Sequence, residues 1–238
     1  MNTAAKCICR YRLARGPAAD FDSGGVFTPN ILEARGRYYL FYTAIRNPIS
    51  VHEPTAIGEA VAASPDGPWK KLASHPVLIP GRDAKEFDSF RVDDACLITR
   101  AGKYWLYYKG RQQGHTPQET KWGVAIAAEP TGPYRKSAAN PVVRSGHEVL
   151  VWPDGGGVAA LVGPTGPEKN TIQFAADGLH FRVISHIASP PGAPGAYRPD
   201  AFTNTRHAAG IQWGISMRGG PNPYLVRWEY VQHKGKTR

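Results

Sequence analysis

Along the chain, apolar residues gather in short aromatic or β-branched runs broken by glycine, proline and charge, and no stretch of useful length keeps the three-to-four-residue spacing of an amphipathic helix. Arg37-Tyr-Tyr-Leu-Phe-Tyr-Thr43, Lys103-Tyr-Trp-Leu-Tyr-Tyr-Lys109, Gly157-Val-Ala-Ala-Leu-Val162 and Ile211-Gln-Trp-Gly-Ile-Ser216 each follow a glycine, and all read as strands. The glycines Gly36, Gly102, Gly156 and Gly210 recur at intervals of 66, 54 and 54 residues. Ahead of each lies a second short run: Thr28–Leu32, Asp94–Ile98, Glu148–Trp152 and Asp200–Asn204. Each glycine is thus expected to turn a hairpin. A third run, Ile57–Ala63, Trp122–Ala128 or Asn170–Ala176, follows three of these hairpins and ends in a polar Gly turn before an aromatic residue that opens a fourth strand.

Units of this kind, repeated with aligned turns, predict an all-β fold and within it a β-propeller, in which each blade is a four-stranded sheet. A sandwich is the competing architecture, but its strands would not repeat in register with their turns. Four blades are expected to start near residues 22, 88, 145 and 197. Residues 21–238 then form a single propeller domain, preceded by an irregular segment over 1–20 whose alternating Cys7-Ile-Cys-Arg-Tyr-Arg-Leu13 can supply a closing strand.

Composition narrows the partners. The 238 residues carry 29 Lys and Arg against 19 Asp and Glu, a net charge of +10, with 42% hydrophobic residues. That is apolar enough for a packed core, and no unbroken apolar run reaches the roughly 18 residues of a membrane helix. The basic residues are scattered and form no stripe, so neither nucleic acid nor membrane is an expected partner. Cys7, Cys9 and Cys96 match no zinc or redox spacing and read as buried or free thiols. With no apolar leader visible, the cytoplasm is the expected compartment.

In a propeller the first strand of every blade lines a shared channel. Counted back from the hairpin glycines, the positions facing that channel hold Thr28, Asp94 and Glu148, preceded by Phe27, Asp93 and His147. Asp22, Asp88 and Asp200 sit just outside, at the blade entrances. Carboxylates and a histidine converging on one pocket suit glycosidic-bond cleavage, in which one group protonates the leaving oxygen and another activates water. Trp105, Trp122, Trp152 and Trp213 offer faces for sugar rings, although aromatic residues in strands usually pack inside. Each polar candidate also has a structural reading: Asp94 as a strand cap, His147 as a hydrogen-bonded histidine, Glu148 as the partner of a base. No pattern for a resident cofactor or metal is present. A structural or channel divalent cation stays open.

The segments Phe87-Asp-Ser-Phe-Arg-Val-Asp-Asp-Ala-Cys-Leu-Ile98, Gly102-Lys-Tyr-Trp-Leu-Tyr-Tyr-Lys-Gly110, Ser145-Gly-His-Glu-Val-Leu-Val-Trp-Pro153, Gly166-Pro-Glu-Lys-Asn-Thr-Ile-Gln-Phe-Ala175 and Trp213-Gly-Ile-Ser216 resemble glycoside hydrolase family 117. The resemblance runs from about Asp22 to Trp228. It implies a five-bladed propeller related to families 43 and 32, and an exo-acting, inverting hydrolase of α-1,3-neoagaro-oligosaccharides that releases 3,6-anhydro-L-galactose. Carried over by position, Asp94 resembles the family's second active-site aspartate and His147 its histidine general acid, with Glu148 beside it. Asp154 loosely matches the family's third acidic group.

The family's general-base aspartate stands in an Arg-Asp-Pro-Ser-like context ahead of the segment matching Gly25–Asn30. No such motif is present, so the chain reads as lacking the first blade, with Asp22 or Asp200 as stand-ins. The family's N-terminal dimerisation helix is also not visible, and the oligomeric state stays open. The expectation is a glycoside hydrolase acting on an α-linked, galactan-derived oligosaccharide, with Asp94, His147 and Asp22 catalytic and Glu148, Thr28, Asp93, Trp105, Lys109 and Asp200 binding substrate. The alternative is a propeller that binds carbohydrate without cleaving it.

Overall fold

A computed structural model describes residues 13–72, 76–192 and 194–231. The expected closing strand over Cys7–Leu13 therefore lies, apart from Leu13, outside the described residues. The chain forms a β-propeller whose first blade contains β1 (Gly25–Ala34), β2 (Arg37–Ile45), β3 (Ala56–Ala62) and β4 (Lys70–Lys71) in spatial order. The second contains β5 (Arg91–Arg100), β6 (Lys103–Arg111), β7 (Lys121–Ala127) and β8 (Arg135–Lys136). β9 (Val151–Gly155), β10 (Gly157–Val162), β11 (Thr171–Ala175) and β12 (Arg182–His186) form the third. A fourth sheet has three strands, β13 (Gly195–Ala196), β15 (Trp213–Arg218) and β16 (Tyr224–Glu229).

The repeat reaches down to backbone angles. Ala34 pairs with Arg37 and Arg100 with Lys103, so Arg35-Gly36 and Ala101-Gly102 are two-residue turns. Their φ values of 52° and 70°, and of 50° and 69°, give the left-handed pair that suits the twist of a tight hairpin. A side chain at Gly102 would meet nothing within 4 Å, so backbone conformation rather than space is what favours glycine there.

Each of the first two blades is tied across its strands by the same three residues. The buried Asp22 carboxylate accepts from the Tyr42 hydroxyl at 3.0 Å and from the Gly16 amide at 3.0 Å, and pairs with Lys71. In the second blade Asp88 accepts from the Tyr108 hydroxyl at 2.8 Å and from Lys136 at 2.6 Å. Asp22 thus staples the blade entrance to its second and fourth strands, which accounts for its burial. In the third blade the aligned positions are Val142 and Val162, both buried members of one apolar cluster.

Between blades lie successive cores. Leu32, Phe41 and Ile57 pack against Val92, Leu97 and Tyr108; Cys96, Ile98 and Trp105 against Val151 and Val158; Leu150, Trp152 and Leu161 against Ile211 and Trp228. Cys96 is a buried free thiol.

The fourth unit departs from the expected repeat. Asp200–Asn204 is a turn region rather than an inner strand, and Gly210 turns no hairpin. β14 (Ala208–Ala209) pairs instead with Asp154 and Gly155 of β9. Hydrogen bonds across blades hold this segment: Arg198 donates to the carbonyls of Leu97 and Val151 at 3.0 Å each, and the Thr99 amide donates to Ala201 at 2.7 Å. In the third unit the inner strand begins at Val151, so His147 and Glu148 stand on the loop before it.

Candidate active site

The polar residues that reach the channel do so because two inner strands are bulged at the same place. In blade one, Phe27 pairs with Thr43 and Asn30 with Phe41, so Thr28 and Pro29 together oppose Tyr42. In blade two, Asp93 pairs with Lys109 and Cys96 with Tyr107, so Asp94 and Ala95 oppose Tyr108. Thr28 and Asp94 both take the left-handed backbone, with φ of 44° and 52°. A bulge of this kind re-aims a side chain, and here it points both residues into one cavity. The two bulges are locked together: Thr43 Oγ1 lies 2.5 Å from Thr28 Oγ1 and accepts from the Asp94 amide at 3.1 Å.

The loop from the third blade is fixed by a single carbonyl. The Gly146 oxygen accepts from Thr120 Oγ1 at 2.8 Å and from Trp122 Nε1 at 3.2 Å. Gly146 has φ of 93°, and an added Cβ would come within 2.9 Å of the Trp122 ring. Glycine is therefore required, and His147 and Glu148 follow it into the cavity. The Gly166–Ala175 segment supports this loop, because the Glu168 amide donates to Ser145 Oγ at 2.7 Å.

The result is a cavity of about 180 Å³ whose lining includes Thr28, Asp93, Asp94, Lys109, His147 and Glu148, joined by Arg91 and Arg111. At its centre the Lys109 ammonium donates to Asp94 at 2.5 Å, lies 3.4 Å from Asp93, and approaches His147 Nε2 at 3.3 Å. Burial opposes the charge on Lys109, but the attraction of Asp93 and Asp94 outweighs it and raises the lysine above its ordinary value. Burial pushes the Asp93 carboxyl up despite Lys109. Burial and then the neighbouring Asp94 push Glu148 up as well.

The imidazole tautomer follows from its partners. An ammonium can only donate, so His147 Nε2 accepts; a carbonyl can only accept, so Nδ1, 3.4 Å from the Pro117 oxygen, carries the hydrogen. In this arrangement the Nδ1 hydrogen of His147 is turned away from Lys109, and Glu148, like Asp93, is a carboxyl that burial inclines to hold a proton.

Donor atoms of Asp94, His147 and Glu148 all lie within 4.8 Å of one another, a spacing that suits a metal ion. The Lys109 ammonium already rests on Asp94 and approaches His147, so a divalent cation held there would meet its charge.

Of the expected site residues, Thr28, Asp93, Asp94, Lys109, His147 and Glu148 converge. Three do not. Asp22 is the blade staple described above and is absent from the cavity lining. Trp105 is buried against Tyr107, with its Nε1 donating to the Arg100 carbonyl at 3.1 Å. Asp200 lies in the turn before β14, where it accepts from the Ala209 amide at 2.9 Å. Asp154, the loose match, faces Trp152 and Tyr230 in a different hollow. The sequence reading missed Arg91 and Arg111. They are cross-strand partners at the same end of the β5–β6 hairpin as the Asp93–Lys109 pair.

Comparison with known proteins agrees with this architecture. The family model described as glycosyl hydrolases family 43 matches residues 9–115. No curated protein matches the sequence. Among solved structures, a family 117 glycoside hydrolase produced by the marine bacterium Zobellia galactanivorans superposes with a TM-score of 0.81 at 33% identity, covering 91% of this chain. This chain spans 64% of the length of that protein. An endo-arabinase from Bacteroides thetaiotaomicron shares the fold at a TM-score of 0.59 and 13% identity, with 93% of this chain and 80% of that one covered. A β-1,2-mannobiose phosphorylase from Listeria innocua does so at 0.63 and 13%, covering 85% and 70%. By fold the chain is a β-propeller of glycoside hydrolase type, similar to a family 117 glycoside hydrolase.

Proposed function

We propose that the cavity binds and hydrolyses an α-linked, galactan-derived oligosaccharide, one terminal sugar at a time. The observation that carries this reading is the convergence of Asp94, His147 and Glu148 from two blades on a small pocket. At about 180 Å³ the pocket is smaller than the roughly 300–1,000 Å³ sites of drug-sized ligands, which suits a single ring and exo action. Glu148, favoured in its protonated form, is the resting proton source for the leaving oxygen. His147 serves as donor only once its Nε2 is freed from Lys109 and protonated. Asp94, paired with Lys109, stabilises positive charge that develops on the sugar ring as the C–O bond breaks.

Water must then add at the anomeric carbon and lose a proton to a base. An inverting pair stands about 6.5–9.5 Å apart to admit that water, whereas the Asp94 and Glu148 donor atoms lie within 4.8 Å. Asp93, the remaining carboxylate lining the cavity among the described residues, is engaged by Arg91 and Lys109. Asp22 lies elsewhere. This favours a second reading, sugar binding without turnover by the described residues alone. The two readings separate on incubation with neoagarobiose and related α-linked oligosaccharides. Released monosaccharide that disappears in Glu148→Gln supports hydrolysis; binding without release supports the silent reading; neither binding nor release overturns both.

A further inference from the structure

The cavity contains one cation more than its ion pairs use. Arg91 is spent on neighbours: its Nε lies 3.3 Å from Asp93 and 3.3 Å from Thr55 Oγ1, and its terminal nitrogen donates to the Ser50 carbonyl at 3.1 Å. Lys109 is spent on Asp94 and Asp93. Arg111 remains. It is 5% exposed, donates to the Val51 carbonyl and lies over the Phe90 ring at 5.1 Å. Among the described residues it has no carboxylate partner, and its buried Nε has no hydrogen-bond acceptor. Its register partner is another guanidinium, Arg91. A buried charge left unpaired beside a like charge is costly, and an oxyanion presented from the cavity compensates it, in the forked geometry that guanidinium groups offer.

We infer that Arg111 is a specificity residue for an acidic sugar, one whose ring bears a carboxylate or a sulfate that reaches the Arg111 guanidinium while the ring faces Asp94 and Glu148. This rests on the proposed sugar-binding role of the cavity and adds the charge class of its ligand. Neutral sugar hydroxyls would leave the charge uncompensated.

The test is calorimetric titration of the wild-type chain, at one fixed ionic strength, with galactose, galacturonate, galactose sulfate and inorganic sulfate. The inference expects galacturonate or galactose sulfate to bind at least tenfold more tightly than galactose, and the tighter of the two tells carboxylate from sulfate. Arg111→Gln should bring that preference to within about twofold. Equal affinity for neutral and acidic sugars overturns the inference and leaves the sugar-binding reading intact. Inorganic sulfate binding as tightly as galactose sulfate also overturns it, since the sugar then plays no part. Loss of binding to all three sugars overturns both. The comparison of sugars on the wild-type chain does not depend on the variant folding.

Discussion

Replacing Lys109 with methionine removes the positive charge at the centre of the cavity while keeping the length and apolar stem of the side chain. Lys109 is 6% exposed, and its partners Asp93 and Asp94 are 4% and 8% exposed, so its loss leaves two adjacent buried carboxylates with Arg91 the remaining ion-pair partner of Asp93 among the described residues. Breaking a buried ion pair from one side costs about 3–5 kcal/mol. At about 2–4 °C per kcal/mol for a chain of this size, the melting temperature should fall by about 6–20 °C. The loss should also depend on pH. Asp93 already has its folded value raised by burial, and without Lys109 it rises further. A carboxyl raised on folding binds more protons in the native state than in the unfolded one, so its contribution to stability falls as pH climbs from the unfolded carboxylate range through the raised folded value. The variant should therefore lose more stability at pH 8 than at pH 5. Urea unfolding at both pH values, with the same measurement on Asp94→Asn and on the double variant, gives the coupling between the two residues. A deficit below about 1 kcal/mol that is the same at both pH values, together with additive single variants, refutes the claim that Lys109 is the buried counter-ion of the site.

Asp22→Asn and Asp88→Asn should destabilise by similar amounts, about 1–3 kcal/mol each, because both remove the charged acceptor of the same Tyr–Lys staple. Denaturation measures this, and sugar affinity should stay at the wild-type value in Asp22→Asn; its loss would return Asp22 to the site. Gly102→Ala should cost about 1–2 kcal/mol, the penalty of the left-handed backbone alone, since nothing lies within 4 Å of the added methyl. Gly58→Ala should cost more, because its Cβ would sit 2.4 Å from the Tyr42 ring. A hydrolysis rate, where one is measured, should fall as pH rises through the raised value of Glu148, and Glu148→Gln should abolish it at every pH.

The blades were legible in the sequence because their signals are local. Aromatic strands flanking Arg35-Gly36 and Ala101-Gly102 leave the chain little choice but a tight hairpin. The third strands, expected over Ile57–Ala63 and Trp122–Ala128, were found over Ala56–Ala62 and Lys121–Ala127. Reading the fourth unit by analogy failed because Pro199, Asp200 and Asn204 are turn formers whose groups are met by other blades: Asn204 accepts from the Gly102 amide at 3.1 Å, and Arg198 from the same segment grips Leu97 and Val151. Asp22 stands apart from the cavity for a different reason. Its polarity at a blade entrance suggested chemistry, but Tyr42 and Lys71 recur as Tyr108 and Lys136 around Asp88, and that repeated trio marks a structural device.

What a regular strand count would not give in the site turns on one parity. In a regular strand alternate residues face alternate sides, so residues on either side of a bulge no longer follow one count. Asp93 and Asp94 reach the cavity together, with Lys109 and Arg111 opposite, because the extra residue shifts the register between Asp93 and Cys96. A residue other than glycine held at positive φ costs on the order of 1–3 kcal/mol, and the same strain recurs at Thr28 and Asp94. It persists because Thr43 joins the two bulges across the blade interface, with its Oγ1 accepting the Asp94 amide and contacting Thr28. The strained backbone is thus supported by the packing of one blade on the next, and the arrangement that places Asp94 against Lys109 is a property of the assembled propeller rather than of either hairpin alone.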